Sequence, residues 1–365
     1  MAQIAMLREV LVDREGWVDS ARFNRLLAVM QALPGPEAHE LAVHMGMIVR
    51  GRIGGLLAGL GFMLPGLCLM LVGAWAYTRW LAGSESIAAL LLAVQIAVLA
   101  VILRAVAKIG QHMIHGRALA TVAIAALAAT VAGVPFWIPL LAGGLAYAAP
   151  SRLVAASCVA LALILSLALW WFIPGATRGE TAAITAEAPT IAALFLAGLK
   201  GGLLTFGGAY TAIPYVREDT VGRGWLSDAQ FLDGIALAGV LPAPLVIFAT
   251  FAGYAAGGLP GALAITVGMF LPAFGFSLIF FERLEALVDH PGLTRFLGGI
   301  GAAAVGIIAA TFVELALTTS MRIASPIAAA LLFACCLAAV WRFRSMWTVP
   351  ATLALAAVAG WMVPL

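Results

Sequence analysis

Residues 33–36 read LPGP, with Glu37 directly after them, and residues 241–244 read LPAP. Proline removes a backbone donor and drives the residue before it out of the helical region. One helix therefore ends near Ala32 and another starts near Pro36. A helix start carries free N–H groups and the positive end of the helix dipole, which together suit an anion. Two such starts facing each other at mid-depth would hold a tetrahedral dianion without a fixed cation. The candidate anion-binding residues are Pro34, Gly35, Pro36 and Glu37 in the first pattern, and Pro242 and Pro244 in the second. Glu37 falls in the first turn of its helix, whereas the second copy has Leu245 there. It either complements the dipole or carries a proton in competition with the anion. The plain alternative for both patterns is a kink packed in a helix bundle.

Other charged and glycine positions join this set. Lys200 lies on an apolar run six residues before Phe206, Gly207 and Gly208. Consecutive glycines let backbone or ligand approach closely, and the lysine either balances substrate charge or reaches to the interface. Arg217, Glu218 and Asp219, like Arg8 and Glu9, begin polar segments and are expected to form interfacial ion pairs. A gating role is the alternative for Arg217 and Glu218. Asp233 stands eight residues before Leu241 and corresponds to Arg25, which makes it a coupling or gating candidate. Trp17 and Trp225 suit interfacial anchors. His112 and His115 alone are too few for a metal site, so no metal or cofactor is expected.

The elements that must position these residues follow from composition. Of 365 residues, 64% are hydrophobic and 10% charged, against about 25% charged in a soluble domain. Many apolar runs reach the roughly 20 residues that a helix needs to cross a bilayer, and the strict alternation of a membrane barrel is absent. The expected fold is an all-α integral membrane protein of about 10–12 membrane helices. The opening MAQIAMLREVLVDREGW is mixed and amphipathic, without the pattern of a cleavable signal. A net charge of +3 and the lack of a basic tract argue against nucleic acid. Cys68, Cys158, Cys335 and Cys336 lie in apolar runs without zinc or disulfide spacing and read as packing residues. No clustered acid, base or metal constellation points to an enzyme.

The chain also repeats itself. WVDSARF at 17–23 matches WLSDAQF at 225–231, and LPGP matches LPAP, both at a spacing of 208. Phe62–Gly66 matches Met269–Ala273 at 207, and Arg8-Glu9 matches Arg217-Glu218 at 209. The order of these matches points to two ancient copies: residues 1–150 as the first repeat, 151–189 as a linking helix and polar linker, and 190–365 as the second. Duplication with broken helices, here broken or re-entrant at LPGP and LPAP, is a plan of secondary transporters, with the substrate where the halves meet. Arginines at both ends of the LPGP run fit either a re-entrant hairpin or a full crossing.

The stretches LKGGLLTFGGAYTAIPYVRED (199–219), GWLSDAQFLDGIALAGVLPAPL (224–245), AQIAMLREVLVDREGW (2–17), LPGPEAHELAVHMG (33–46) and GFMLPG (61–66) together resemble the chromate transporter family. The resemblance spans essentially the whole chain. It implies a multi-pass inner-membrane carrier that exports chromate by secondary transport, with related halves in opposed orientations, and so confers chromate resistance. Implied partners are chromate or a sulfate-like oxyanion, protons as a candidate coupling ion, the lipid bilayer and a second copy of the chain. The alternatives are a carrier of sulfate or another oxyanion, and an inactive truncated remnant. The last arises because the family's first half carries FGGP, and a helix leading into it, before the AQIA stretch. Met1 stands too late to include them, and a start set too late is the preferred reading. A dianion gains about 2.3 kcal/mol per charge per 100 mV on leaving a negative interior, which makes export the easy direction.

Overall fold

The computed structural model describes residues 2–32, 35–81, 87–172, 188–206, 208–279, 291–343, 345 and 347–362. Among these it is all-α. The order is α1 (Ala2–Arg8), α2 (Ser20–Ala32), α3 (Glu37–Ala76), α4 (Ala88–Met113), α5 (Arg117–Val131), α6 (Trp137–Ala148) and α7 (Arg152–Phe172). There follow α8 (Ile191–Leu203), α9 (Ile213–Thr220), α10 (Asp228–Val240), α11 (Phe248–Ile279), α12 (Pro291–Ser320), α13 (Pro326–Arg342) and α14 (Thr348–Met362). Four segments are long and apolar enough to cross a membrane: Glu37–Leu81, Ala88–Met113, Leu245–Ile279 and Gly292–Ser320. Shorter apolar helices, among them α5, α6, α8, α13 and α14, surround them. The protein is an all-α membrane protein.

The repeated heptapeptides are helix starts. Asp19 caps α2 by accepting the Arg22 N–H at 2.8 Å. At the matching place Ser227 accepts the Gln230 N–H at 3.2 Å, and the Gln230 side chain accepts the Ser227 N–H at 3.0 Å. This reciprocal capping box satisfies two donors that the helix itself leaves free.

Helices α3 and α11 are each folded into a hairpin. The backbone leaves helical geometry at Arg50 (φ −137°, ψ 28°) and Gly51 (φ 58°, ψ −154°). It does so again at Gly257 (φ −135°, ψ 21°) and Gly258 (φ 62°, ψ −155°). The two turns, 207 residues apart, agree within a few degrees, and each needs a left-handed residue that glycine supplies without a Cβ clash. Contacts across the first turn run antiparallel. A Cβ placed on Gly46 would collide with Gly54, one on Gly59 would lie 2.7 Å from Val43, and His39 reaches Gly59 O at 3.2 Å. Across the second turn, Gly253 packs against Gly261, and Thr250 meets Thr266 at 2.6 Å.

Each hairpin therefore has a short and a long arm. The short arm of α3, residues 37–49, measures about 20 Å at 1.5 Å per residue, less than the roughly 30 Å hydrocarbon core. Arg50 and Arg52 at its outer end are exposed. The arm is thus too short to cross the core by itself, and Pro36 is at its buried end. Helix α2 folds back on this arm, with Phe23 and Leu26 in one buried cluster with Leu41 and Met45. Arg22 consequently stands close enough to His44 to act on it electrostatically.

Close backbone packing holds the second half together. Gly198 and Gly202 of α8 lie against the Ile265 and Met269 carbonyls of α11. Small residues allow this approach where lipid supplies no hydrophobic drive between helices. The cysteines depart in part from expectation: Cys336 is buried in the core, but Cys68 and Cys335 are exposed on the outer surface of the bundle and pack nothing inside. An apolar thiol costs little against lipid tails, so composition alone does not place it. Two substitutions separate close packing from mere presence of glycine. A Cβ on Gly198 would overlap Ile265 O, while one on Gly275 meets nothing within 4 Å. Gly198→Ala is expected to lose about 2 kcal/mol or more and Gly275→Ala to be neutral or stabilising by about 0.5–1 kcal/mol, as read by thermal unfolding of the detergent-purified protein.

Candidate functional site

Each break meets an element of the other half: LPGP meets the end of α8, and LPAP meets the long arm of α3. Helix α2 ends at Ala32, and Pro36 (φ −70°, ψ 95°) precedes α3. The Pro36 carbonyl takes the N–H groups of His39 and Glu40 at 2.8 and 3.0 Å. Glu37 and Ala38 open the helix, at the positive end of its dipole. Glu37 is buried in this first turn, where the sequence places it. Pro34 and Gly207 lie outside the described residues.

Gly35 (φ +144°) donates its N–H to the Thr205 carbonyl at 2.8 Å. This bond ties the first-half break to the end of α8 in the second half. That end is satisfied locally. Phe206 donates its N–H to Thr211 Oγ1 at 3.0 Å, Thr211 Oγ1–H donates to Gly208 O at 2.7 Å, and Thr205 Oγ1–H donates to Gly201 O at 2.6 Å. Phe206 directly follows the Thr205 that Gly35 bonds, and Thr211 links it to Gly208. The LPAP break lies on the other half too: a Cβ on Gly66, in the long arm of α3, would be 2.6 Å from the Ala243 Cβ and 3.8 Å from Pro244. The long arm of α11 returns the contact, with Ser277 Oγ–H donating to Glu40 O at 3.3 Å.

Sequence reasoning passed over three residues of the short arm of α3. His39, Glu40 and His44 are all buried. His39 sits among Phe62, Phe270 and Phe274, with ring centroids 6.0, 4.9 and 4.7 Å away. Both carboxylate oxygens of Glu40 lack a hydrogen-bond partner. The available signal was titratable side chains at membrane depth, which are rare without a function.

The other charged candidates form two supports. Lys200 Nζ lies 3.1 Å from Glu218 and 2.9 Å from Asp219, and 4.5 Å from the centre of the Phe136 ring of the first half. Arg217 grips Asp228 through two nitrogens at 2.7 and 3.2 Å and reaches Glu314 at 2.6 Å. Burial works against the charge of Arg217, but the Asp228 and Glu314 carboxylates outweigh it and leave the pKa above its ordinary value. Glu9, by contrast, pairs with Arg14 rather than with its neighbour, and Arg8 donates to Ser20 at 3.1 Å.

Asp233 is buried and joins elements of both halves. Tyr77 Oη–H donates to it at 2.7 Å, and Gln95 Nε2 donates at 2.8 Å. The exposed Arg322 completes the chain by donating to Gln95 Oε1 at 2.9 Å. The Arg25 side chain, its counterpart by repeat, lies outside the described residues. A hydrogen bond to an ionised group contributes about 1.5–3 kcal/mol. Tyr77→Phe, which removes one and keeps the ring, is expected to lower stability by about that amount, measured by thermal unfolding in detergent.

The chromate transporter model matches this chain in two regions, residues 1–148 and 192–361. A chromate transport protein of Pseudomonas aeruginosa is 51% identical over 100% of this chain and 88% of its own length. One from Cupriavidus metallidurans is 29% identical over 84% of this chain and 75% of its own. A probable chromate transport protein of Synechococcus elongatus is 28% identical over 86% and 79%. No solved structure matches. A doubled match on a chain whose two halves share caps, breaks and hairpins leaves one conclusion: the chain belongs to the chromate transporter family.

Proposed function

We propose that this chain is a secondary transporter that carries chromate out of the cell across the bacterial inner membrane, and so confers chromate resistance. The observation that carries the reading is the junction of the two halves. A broken helix of the first half is bonded through Gly35 to the broken α8–α9 segment of the second, and α3 starts at Pro36, next to that bond. Helix starts bind anions through N–H groups and dipole. They need no lysine or arginine at the bottom of the site. Gly35, Pro36, Glu37, Phe206 and Gly208 stand around the junction, and Pro242 and Pro244 supply the corresponding break in the second half. Lys200 is held by Glu218 and Asp219 and is the proposed charge-balancing residue, free to meet the anion when those pairs open. The Asp233 support spans elements of both halves that have to part if the halves move, which suits a gate, and the Arg217 support braces the second half beside it. Protons are the proposed counter-ion and Glu37 a proposed carrier of them.

Direction follows from charge. Moving two negative charges outwards yields about 4.6 kcal/mol per 100 mV, at 2.3 kcal/mol each. Chromate-sensitive bacterial cells expressing the chain are expected to accumulate less chromate and to grow at higher chromate than cells with an empty vector. Gly35→Ala, which drives a Cβ into the Glu40 carboxyl at a backbone conformation alanine avoids, is expected to abolish the difference while protein still reaches the membrane. Unchanged accumulation with the intact chain would overturn export. Labelled sulfate moving in vesicles where chromate neither moves nor competes would assign the carrier to sulfate instead.

A further inference from the structure

Glu40 is fully buried, and neither of its carboxylate oxygens has a hydrogen-bond partner. Its Oε1 occupies the place where a Cβ on Gly35 would stand. The carboxyl is thus folded back under the first-half break, beside the Gly35–Thr205 bond that joins the halves. The second half has Phe248 at the corresponding position, 208 residues on, so only one break carries an acid there. On its own arm the charge that acts on it is Glu37, with His39 and His44 nearby in sequence. Helix α2 brings Arg22, which acts on His44. The long arm of α11 brings neutral Ser277, and the α8–α9 break brings neutral Thr205 and Thr211.

An ionised carboxylate without a donor, with a second carboxylate as its neighbour, carries the full penalty of burial. The neutral acid avoids it and has an O–H to give, as buried acids in apolar sites do. Chromate and sulfate match in shape and charge but differ in basicity, chromate being the stronger base. A hydrogen bond from a carboxylic acid strengthens with the basicity of the charged acceptor. We infer that Glu40 contacts the substrate and determines specificity: as the neutral acid it donates its proton in a hydrogen bond to the oxyanion at the break, and thereby favours chromate over sulfate. A neutral acid and a dianion give a pair of charge −2 that shares one proton, with no electron moved. The inference rests on the reading of the break as an oxyanion site.

The test is chromate binding, with sulfate as competitor, to the full chain purified in detergent, at a mildly alkaline pH where both anions are dianions. The wild type is expected to prefer chromate by about 10-fold or more. Glu40→Gln, whose amide donates to both anions alike, is expected to bring the ratio to within about 3-fold. Glu40→Leu is expected to weaken chromate binding about 10-fold and sulfate binding much less. Infrared difference spectra of the wild type supply a readout that needs no variant: a protonated-carboxyl band should shift on adding chromate and shift less with sulfate. An equal ratio in wild type and Glu40→Gln, or no carboxyl band that responds to chromate, would overturn the role of Glu40 alone. A wild type that binds neither anion would overturn the oxyanion site as well.

Discussion

Within a bilayer every backbone polar group must be satisfied by protein, because lipid offers neither donor nor acceptor. This constraint shapes the whole molecule once the chain breaks its helices at membrane depth. The break after α2 cannot be closed by its own helix, and its Gly35 N–H is satisfied by Thr205 from the other half. The break after α8 satisfies itself through the hydroxyls of Thr205 and Thr211. One half therefore completes the other. The junction exists only when both repeats are folded and docked.

Docking at that precision requires backbones to come close. Gly198 and Gly202 bring α8 onto α11, and the paired hairpin turns at Gly51 and Gly258 return each short arm along its long arm. Threonine and small side chains fill the seams, and aromatic rings from the long arms close around His39. Other charged groups are held in three bonded supports, where Lys200 meets Glu218 and Asp219, Arg217 meets Asp228 and Glu314, and Asp233 meets Tyr77 and Gln95. Burying such groups is tolerable because each is paired. Glu40 breaks that rule at the point where the halves join, which is why its carboxyl stands apart from the other buried charges.

Much of this was legible in the residues. The class of fold followed from composition, since a chain with so few charges cannot cover a water-soluble surface. The duplicated caps at Asp19 and Ser227 were visible as matching heptapeptides, and the end of α2 at Ala32 followed from proline stereochemistry. The hairpin turns were less legible. The apolar runs do pause at Arg50-Gly51 and Gly257-Gly258, but a pause fits a polar connection between two crossings as well as a reversal, and periodicity does not tell them apart.

Covalent chemistry and local sterics act within a few residues, so the sequence by itself determined where helices start, where prolines stop them and how much of the surface must face lipid. Partners in space were decided only by the tertiary structure. Nothing local pairs Gly35 with Thr205, 170 residues away, or lays Ser277 on Glu40. Nothing local foretold that Lys200 would be held by Glu218 and Asp219, or that Glu40, one turn beyond the expected site, would be the acid left without a partner. Those outcomes depend on how two folded repeats interlock, and that is set by the summed packing of surfaces whose positions no short stretch encodes.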